Sequence, residues 1–346
     1  MKLIAPMCGL ALALAFSLPL FAAAQVPPAY RATALPFDSA KLVINNAGDV
    51  AGTAGGRVAL WRRGTGLAYL TGSGEQAYLG DMNDVGQLVG SSDAHPTIWQ
   101  LGRQPVTFEA GRYGGAALAI NNQGTIVAMA RAVPGEQGPR DEYFIYKDGQ
   151  RNWLHGLLPW AINEQEQVVG TLRGATQDAA VWQGGIYHEL PDQGYSLARD
   201  INDKGWAAGG TSSEITTVYG AIWKGDQLET YGLGYANAIN NAGVAVGYWE
   251  GARHAMMYSG GRTYDLNTLW DNSGWDGWSL FFAEDINDAG EIVVIASNEA
   301  NFAQQVLLLS PVPETATAAM LLAGLALLGG LHRAIARNAI APMRTI

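Results

Sequence analysis

Ala238-Ile239-Asn240-Asn241-Ala242-Gly243-Val244-Ala245-Val246-Gly247 reads as an apolar strand, a tight turn and a second apolar strand. The apolar-Asn-polar-x-Gly core of this stretch returns at residues 44–48, 82–86, 120–124, 201–205 and 286–290. A degenerate copy at 162–166 carries Glu166 where the others have glycine. The anchoring asparagines are Asn45, Asn83, Asn121, Asn163, Asn202, Asn240 and Asn287, at intervals of 38, 38, 42, 39, 38 and 47 residues. Self-similarity at such a period marks a repeat architecture, whose units bury their apolar faces only against one another.

Each unit carries a second landmark, an aromatic residue ending a short apolar strand, followed by a Gly turn and another strand. These residues are Trp61, Trp99, Tyr146, Trp182, Trp223 and Tyr258, with Leu308 in the last unit. Four short strands per unit is the make-up of one antiparallel propeller blade, so the expected fold is all-β, a seven-bladed β-propeller of four-stranded blades. At one register of the third strand an aromatic ring is expected to wedge between blades, since large rings supply much of the burial in such cores. The last unit stops after its third strand at 305–309, and an orphan segment at 30–36 resembles the fourth strand of a middle unit at 186–191. The N-terminal strand is therefore expected to close the last blade, removing two open sheet edges.

The units resemble the HAF repeat of extracellular bacterial proteins over residues 38–309, through the Ile-Asn-x-x-Gly turn and through His254-Ala255-Met256-Met257-Tyr258 and His95-Pro96-Thr97-Ile98-Trp99. The resemblance implies an exported, propeller-like protein and carries no activity with it.

Both ends read as addresses. Residues 1–24 have Lys2, an apolar run and Ala22-Ala23-Ala24 before Gln25, the layout of a secretory signal peptide. The single cysteine, Cys8, falls inside it, which leaves no disulfide for the exported chain. At the other end, Val312-Pro313-Glu314-Thr315 precedes a charge-free run and then Arg333 and Arg337. The stretch 315–332 is long enough for a single apolar transmembrane helix, with the arginines on the cytoplasmic side. Segment 311–346 resembles the PEP-CTERM sorting signal, with Val312, Pro313 and Glu314 as its motif and Thr315 in place of the second proline. That resemblance implies export in a Gram-negative bacterium, at least transient residence in the inner membrane, and an exosortase-like processing enzyme as partner.

Residues 25–310 then form the seven-repeat propeller. The chain's formal net charge of −10 disfavours phosphate backbones, so nucleic acid is not an expected partner. Short uniform Asn-Gly turns make one face of the disc look plain, which directs attention to variable loops on the other face, at 131–142, 212–217 and 267–283. The most suggestive is Leu269-Trp270-Asp271-Asn272-Ser273-Gly274-Trp275-Asp276-Gly277-Trp278. Trp270, Trp275 and Trp278 are candidates for stacking sugar rings and Asp271 and Asp276 for accepting hydroxyl hydrogen bonds. The competing reading has some of these rings capping the core of the last blade.

No catalytic residue, cofactor or metal site is expected. Asp81, Asp200 and Asp285, each two residues before a motif asparagine, imitate the start of a calcium loop without its later ligands and read as turn stabilisers. The histidines are isolated, and Gly-x-Ser-x-Gly elbows and phosphate loops are absent from the sequence. Among the close carboxylates, Glu164 and Glu166 stand where a repeat breaks pattern, and they read as a drifted turn rather than an acid/base pair. The function expected is a non-catalytic binding or structural module of the cell envelope or exopolysaccharide matrix. The alternative is a propeller glycan hydrolase or lyase with carboxylates near the ring axis.

Overall fold

A computed structural model describes residues 29–38, 41–131, 141–174, 177–192, 194–214, 217–251 and 253–312. Its strands form seven four-stranded antiparallel blades, each meandering outward from an innermost first strand. Blade 2 is typical, with Ala77–Met82, Gln87–Ser92, His95–Gln100 and Val106–Thr107 in that order. Blades 5 and 6 share one continuous strand, Gln227–Ile239, which is the fourth strand of one and the first of the next.

The core lies between blades. Val58 and Leu60 of the first blade pack with Leu79, Leu88 and Trp99 of the second, and Val169 and Val181 of the fourth with Ala198 and Trp223 of the fifth. Trp99 and Trp223 are fully buried, and Trp61 lies partly buried against the seam between the last blade and the first. The aromatic at this register is thus the expected wedge, and no blade has a complete core of its own.

The ring closes as the sequence predicts. Tyr30–Leu35 runs antiparallel to Gln304–Pro311, with Tyr30 opposite Pro311 and Leu35 opposite Val306. A further strand, unexpected from sequence, adds outside it: Trp270–Asp271 pairs in parallel with Tyr30 and Arg31 and covers the edge. The N–H of Val312 donates to the carbonyl of Ala29 at 2.7 Å, tying the two ends of the propeller.

The expected signal peptide at 1–24, the motif residues Pro313 and Glu314 and the apolar helix 315–332 lie outside the described residues, as do most of loop 131–142 and part of loop 212–217. Among the described residues no helix is long and apolar enough to cross a membrane.

Candidate functional site

The repeated turns converge on the ring axis. In Asn240 the side-chain oxygen accepts the N–H groups of Ala242 at 3.1 Å and Val244 at 3.0 Å, which folds the turn, while Gly243 takes a φ of +83°. Its Nδ2 is left to donate outward, and does so to the carbonyl of Asn287 in the next blade at 3.0 Å. Asn45, Asn83, Asn121, Asn163, Asn202 and Asn287 each do the same to the following asparagine's carbonyl, at 2.9 to 3.4 Å, and the last returns to Asn45. The result is a closed ring of seven buried asparagines.

A second ring lies beside it. The next residue of each motif is Asn46, Asp84, Asn122, Glu164, Asp203, Asn241 or Asp288, and its backbone N–H donates to the side-chain oxygen of the residue following around the ring, at 2.7 to 3.1 Å. Together the rings line an open cavity of about 160 Å³ on the axis. The face that looks plain in sequence is therefore where all seven blades are knitted together. Glu164 belongs to this ring, whereas Glu166 has a φ of +57° and turns its carboxylate to Lys147 and to Thr125 Oγ1. That contact with Lys147 holds the Glu166 carboxyl below its usual range. The two glutamates have separate structural jobs and do not work as an acid/base pair.

Asp81, Asp200 and Asp285 are not the turn stabilisers expected from sequence. Each bridges two blades: one carboxyl oxygen accepts the next residue's N–H, and the other accepts an N–H of the following blade. Asp81 takes Met82 at 2.8 Å and Ile120 at 3.0 Å; Asp200 takes Ile201 at 2.8 Å and Ile239 at 2.7 Å; Asp285 takes Ile286 and Ile44, both at 2.8 Å. Burial raises all three carboxyls, Asp81 to about 6 and Asp285 to about 8, with Lys41 opposing the shift. They are partly open to the narrow channel yet surrounded by protein, which is why burial outweighs their hydrogen bonds. Asp285 feels the charges of Asp81 and Asp200, and Lys41 acts on all three, as only groups gathered near the axis can do from blades 2, 5 and 7.

One residue further from the turn, the first strand of six blades carries a β-bulge. At this position the residue without a ladder partner is Gly80, Leu118, Trp160, Arg199, Asn237 or Glu284, and the last blade has a second shift that leaves Phe281 unpaired. The bulge swings a carbonyl toward the second strand: an added Cβ on Gly90, Gly170, Gly209 or Gly247 would lie 1.9 to 2.1 Å from it, so these positions require glycine. It also re-aims the unpaired side chain. Arg199 donates to Asn237 Oδ1 at 2.5 Å, Asn237 to the carbonyl of Ala283 at 2.9 Å, and Glu284 senses both Lys41 and Arg199. Trp160 is 55% exposed although its strand is innermost and flanked by blades 3 and 5.

The tryptophan loop occupies the outer edge of the last blade. Trp270 is 8% exposed beside Tyr30 in the core, and Trp275 and Trp278 pack half-buried against the same cluster. Trp270 and Trp275 have centroids 6.1 Å apart at 46°, and Trp275 and Trp278 5.6 Å apart at 89°. The structure brings the three rings together edge against face, with no common plane toward solvent. Asp271 and Asp276 stay exposed at the rim, and Asp271 accepts Ser273 Oγ at 2.6 Å. On the loop face a separate cavity of about 380 Å³ opens between blades 4, 5 and 6, walled by Tyr195, Tyr235, Gln177 and Thr211. Tyr235 also lies 4.4 Å beneath the Arg199 guanidinium, so this cavity borders the channel mouth. Among the described residues no cluster of His, Cys, Asp and Glu is arranged to hold a metal ion.

No model of a known protein family matches the chain, and no curated protein matches it. Among solved structures, a chain of a crystal structure of the mitotic checkpoint complex superposes with a TM-score of 0.55 at 12% identity, covering 88% of this chain and 100% of that one. Trypanosoma rangeli sialidase in complex with the inhibitor DANA aligns with a TM-score of 0.33 at 9% identity, over 93% of this chain and 60% of that one. At such identity the first likeness concerns the fold alone, and that fold is the β-propeller.

Proposed function

We propose that this chain is an exported, non-catalytic β-propeller of a Gram-negative cell envelope or exopolysaccharide matrix, acting as a binding or structural module. The observation that carries the non-catalytic part is the state of the axial aspartates: every carboxyl oxygen of Asp81, Asp200 and Asp285 already accepts a backbone N–H. Both oxygens of each carboxyl are thereby committed to joining neighbouring blades, a structural role for the acidic groups nearest the axis. Export rests on the signal-like residues 1–24 and on the sorting-signal resemblance of 311–346, with an exosortase-like enzyme and the inner membrane as transient partners. Trp270, Asp271, Trp275, Asp276 and Trp278 remain candidate contacts only at the rim of the last blade.

The glycan hydrolase or lyase reading has one observation in its favour. Glu284 sits among the axial residues without a hydrogen bond among the described residues, and burial raises its carboxyl. One experiment separates the readings: the purified protein is incubated with exported polysaccharides of the producing strain, and both retention and release of reducing ends or unsaturated products are measured. Retention without products supports the binding module. Products that disappear in Glu284→Gln establish the enzyme, and neither retention nor products leaves a purely structural role.

A further inference from the structure

The uniform and the variable parts of the repeat lie on the same strand, three residues apart. The asparagines are identical in all seven blades, whereas the bulged residues are all different: Gly80, Leu118, Trp160, Arg199, Asn237 and Glu284. A frame position under purely structural demand would be expected to repeat its residue, as the asparagine does. Their order around the ring is not mixed. Blades 3 and 4 present leucine and tryptophan, blade 2 has Gly80, where an added Cβ would lie 2.4 Å from the Ala117 carbonyl, and blades 5, 6 and 7 present arginine, asparagine and glutamate, joined by Lys41 before blade 1. One wall of the channel mouth is apolar and aromatic and the facing wall is polar and charged.

A pyranose ring has the matching chemistry: an apolar face of C–H groups that stacks on an indole, and a rim of hydroxyls that both donate and accept. Trp160 supplies an unstacked indole, since none of the aromatic pairs among the described residues includes it. Across the ring in blade 7, Glu284 is an acceptor without a hydrogen bond, and in the neighbouring blade 5 Arg199 Nε is a buried donor without a partner. Buried polar groups ordinarily find partners, so an orphaned donor beside a channel mouth is an opening for a ligand. About 10 Å further down the strands, at 3.3 Å per residue, the mouth ends on the asparagine rings, where seven turns are tied edge to edge. There the seven turns leave a cavity of only about 160 Å³ on the axis, which suits a chain end better than a chain running through.

We infer that the axial mouth on the face opposite the asparagine rings is a binding pocket for the terminal pyranose of a glycan, with Trp160 stacking the sugar ring and Arg199, Asn237 and Glu284 contacting its hydroxyls. The inference rests on the binding reading above and moves its site from the tryptophan loop to the axis.

The test is titration calorimetry of the whole protein with di-, tetra- and hexasaccharides of glucose, galactose, N-acetylglucosamine and glucuronic acid, using wild type, Trp160→Ala, Glu284→Gln and Trp275→Ala. The expected result is affinity for at least one series that changes little with chain length. It falls ten-fold or more in Trp160→Ala and in Glu284→Gln, whereas a loss in Trp275→Ala alone would overturn the axial pocket and return the site to the tryptophan loop. Trp160 is exposed, so its variant should keep the wild-type melting temperature. Wild-type affinity in both mouth variants would overturn the axial pocket while leaving the binding reading in place, and affinity climbing steadily with length would overturn end recognition. Absence of binding to every series would sink both.

Discussion

Asparagine at the motif position makes three hydrogen bonds with one side chain. In Asn240 the amide oxygen folds the turn and the amide nitrogen reaches the next blade, so neither aspartate, which lacks the donor, nor serine, which lacks the reach, is a substitute. Asn240→Ala strands two partly buried turn N–H groups and the buried carbonyl of Asn287. The expected cost is about 2–3 kcal/mol, given about 1 kcal/mol net per hydrogen bond and more for groups left unpaired. The midpoint of urea unfolding measures it, and an unchanged midpoint would show that the ring contributes nothing. The axial aspartates make a second prediction. Their carboxyls hold protons in the folded state up to about 6 for Asp81 and about 8 for Asp285, while an unfolded aspartate releases its proton near about 3.9. Between those values the folded state binds more protons, so stability is fully present below pH about 4 and is lost as pH rises through 6 and 8. Urea midpoints should therefore fall from pH 5 to pH 8.5, less steeply in Asp285→Asn, and a flat profile would mean that these groups ionise freely.

Among the elements, the strand Tyr30–Leu35 has the largest consequence for its length. It hydrogen-bonds along Gln304–Pro311, places Tyr30 in the core of the last blade and supports Trp270 on its far edge. Removing residues 1–36 exposes the edge of Gln304–Pro311, with Leu307 and Leu309 beside it, and an open apolar edge recruits other chains. The truncated protein should melt at lower temperature and self-associate by light scattering, and a peptide of residues 28–37 added in trans should reverse both. If the truncated chain stays monomeric with its melting temperature unchanged, the strand is dispensable. The tryptophan loop belongs to the same construction, because its rings pack onto this strand and the core behind it. Its sequence reads equally well as a sugar platform or a core cap, since three tryptophans within nine residues state their abundance and not their planes. Interplanar angles of 46° and 89° favour the cap.

Across the whole molecule, every blade is bound to its neighbours twice, through the apolar seam and through the axial rings. Such a ring has no free end from which to fray, so it should unfold in one step, with tryptophan fluorescence and far-ultraviolet circular dichroism giving the same urea midpoint. Separated midpoints would instead show blades unfolding in groups, as open repeat arrays can. The same closure divides the axis into a uniform floor and a graded mouth. Function on this scaffold then depends on residues that different blades bring to one place, and no single repeat contains them.

The amino-acid sequence by itself determined the number of blades, the position of each turn, the aromatic wedges and the strand that closes the ring. These follow from local chemistry: an Asn-x-x-Gly turn, the alternation of short strands and a repeat length are all written within about 40 residues. What the tertiary structure alone decided is which groups meet at the axis. Asp81, Asp200 and Asp285 stand in a turn-like context in the chain, and only the neighbouring blade's N–H groups reveal them as bridges. Trp160, Arg199, Asn237 and Glu284 interrupt no pattern that can be read along the chain, because a bulge is a property of two strands paired and not of one. The sequence therefore points to the irregular loops, whereas closure of the ring brings variable residues of the regular strands together across 38 to 47 residues of sequence.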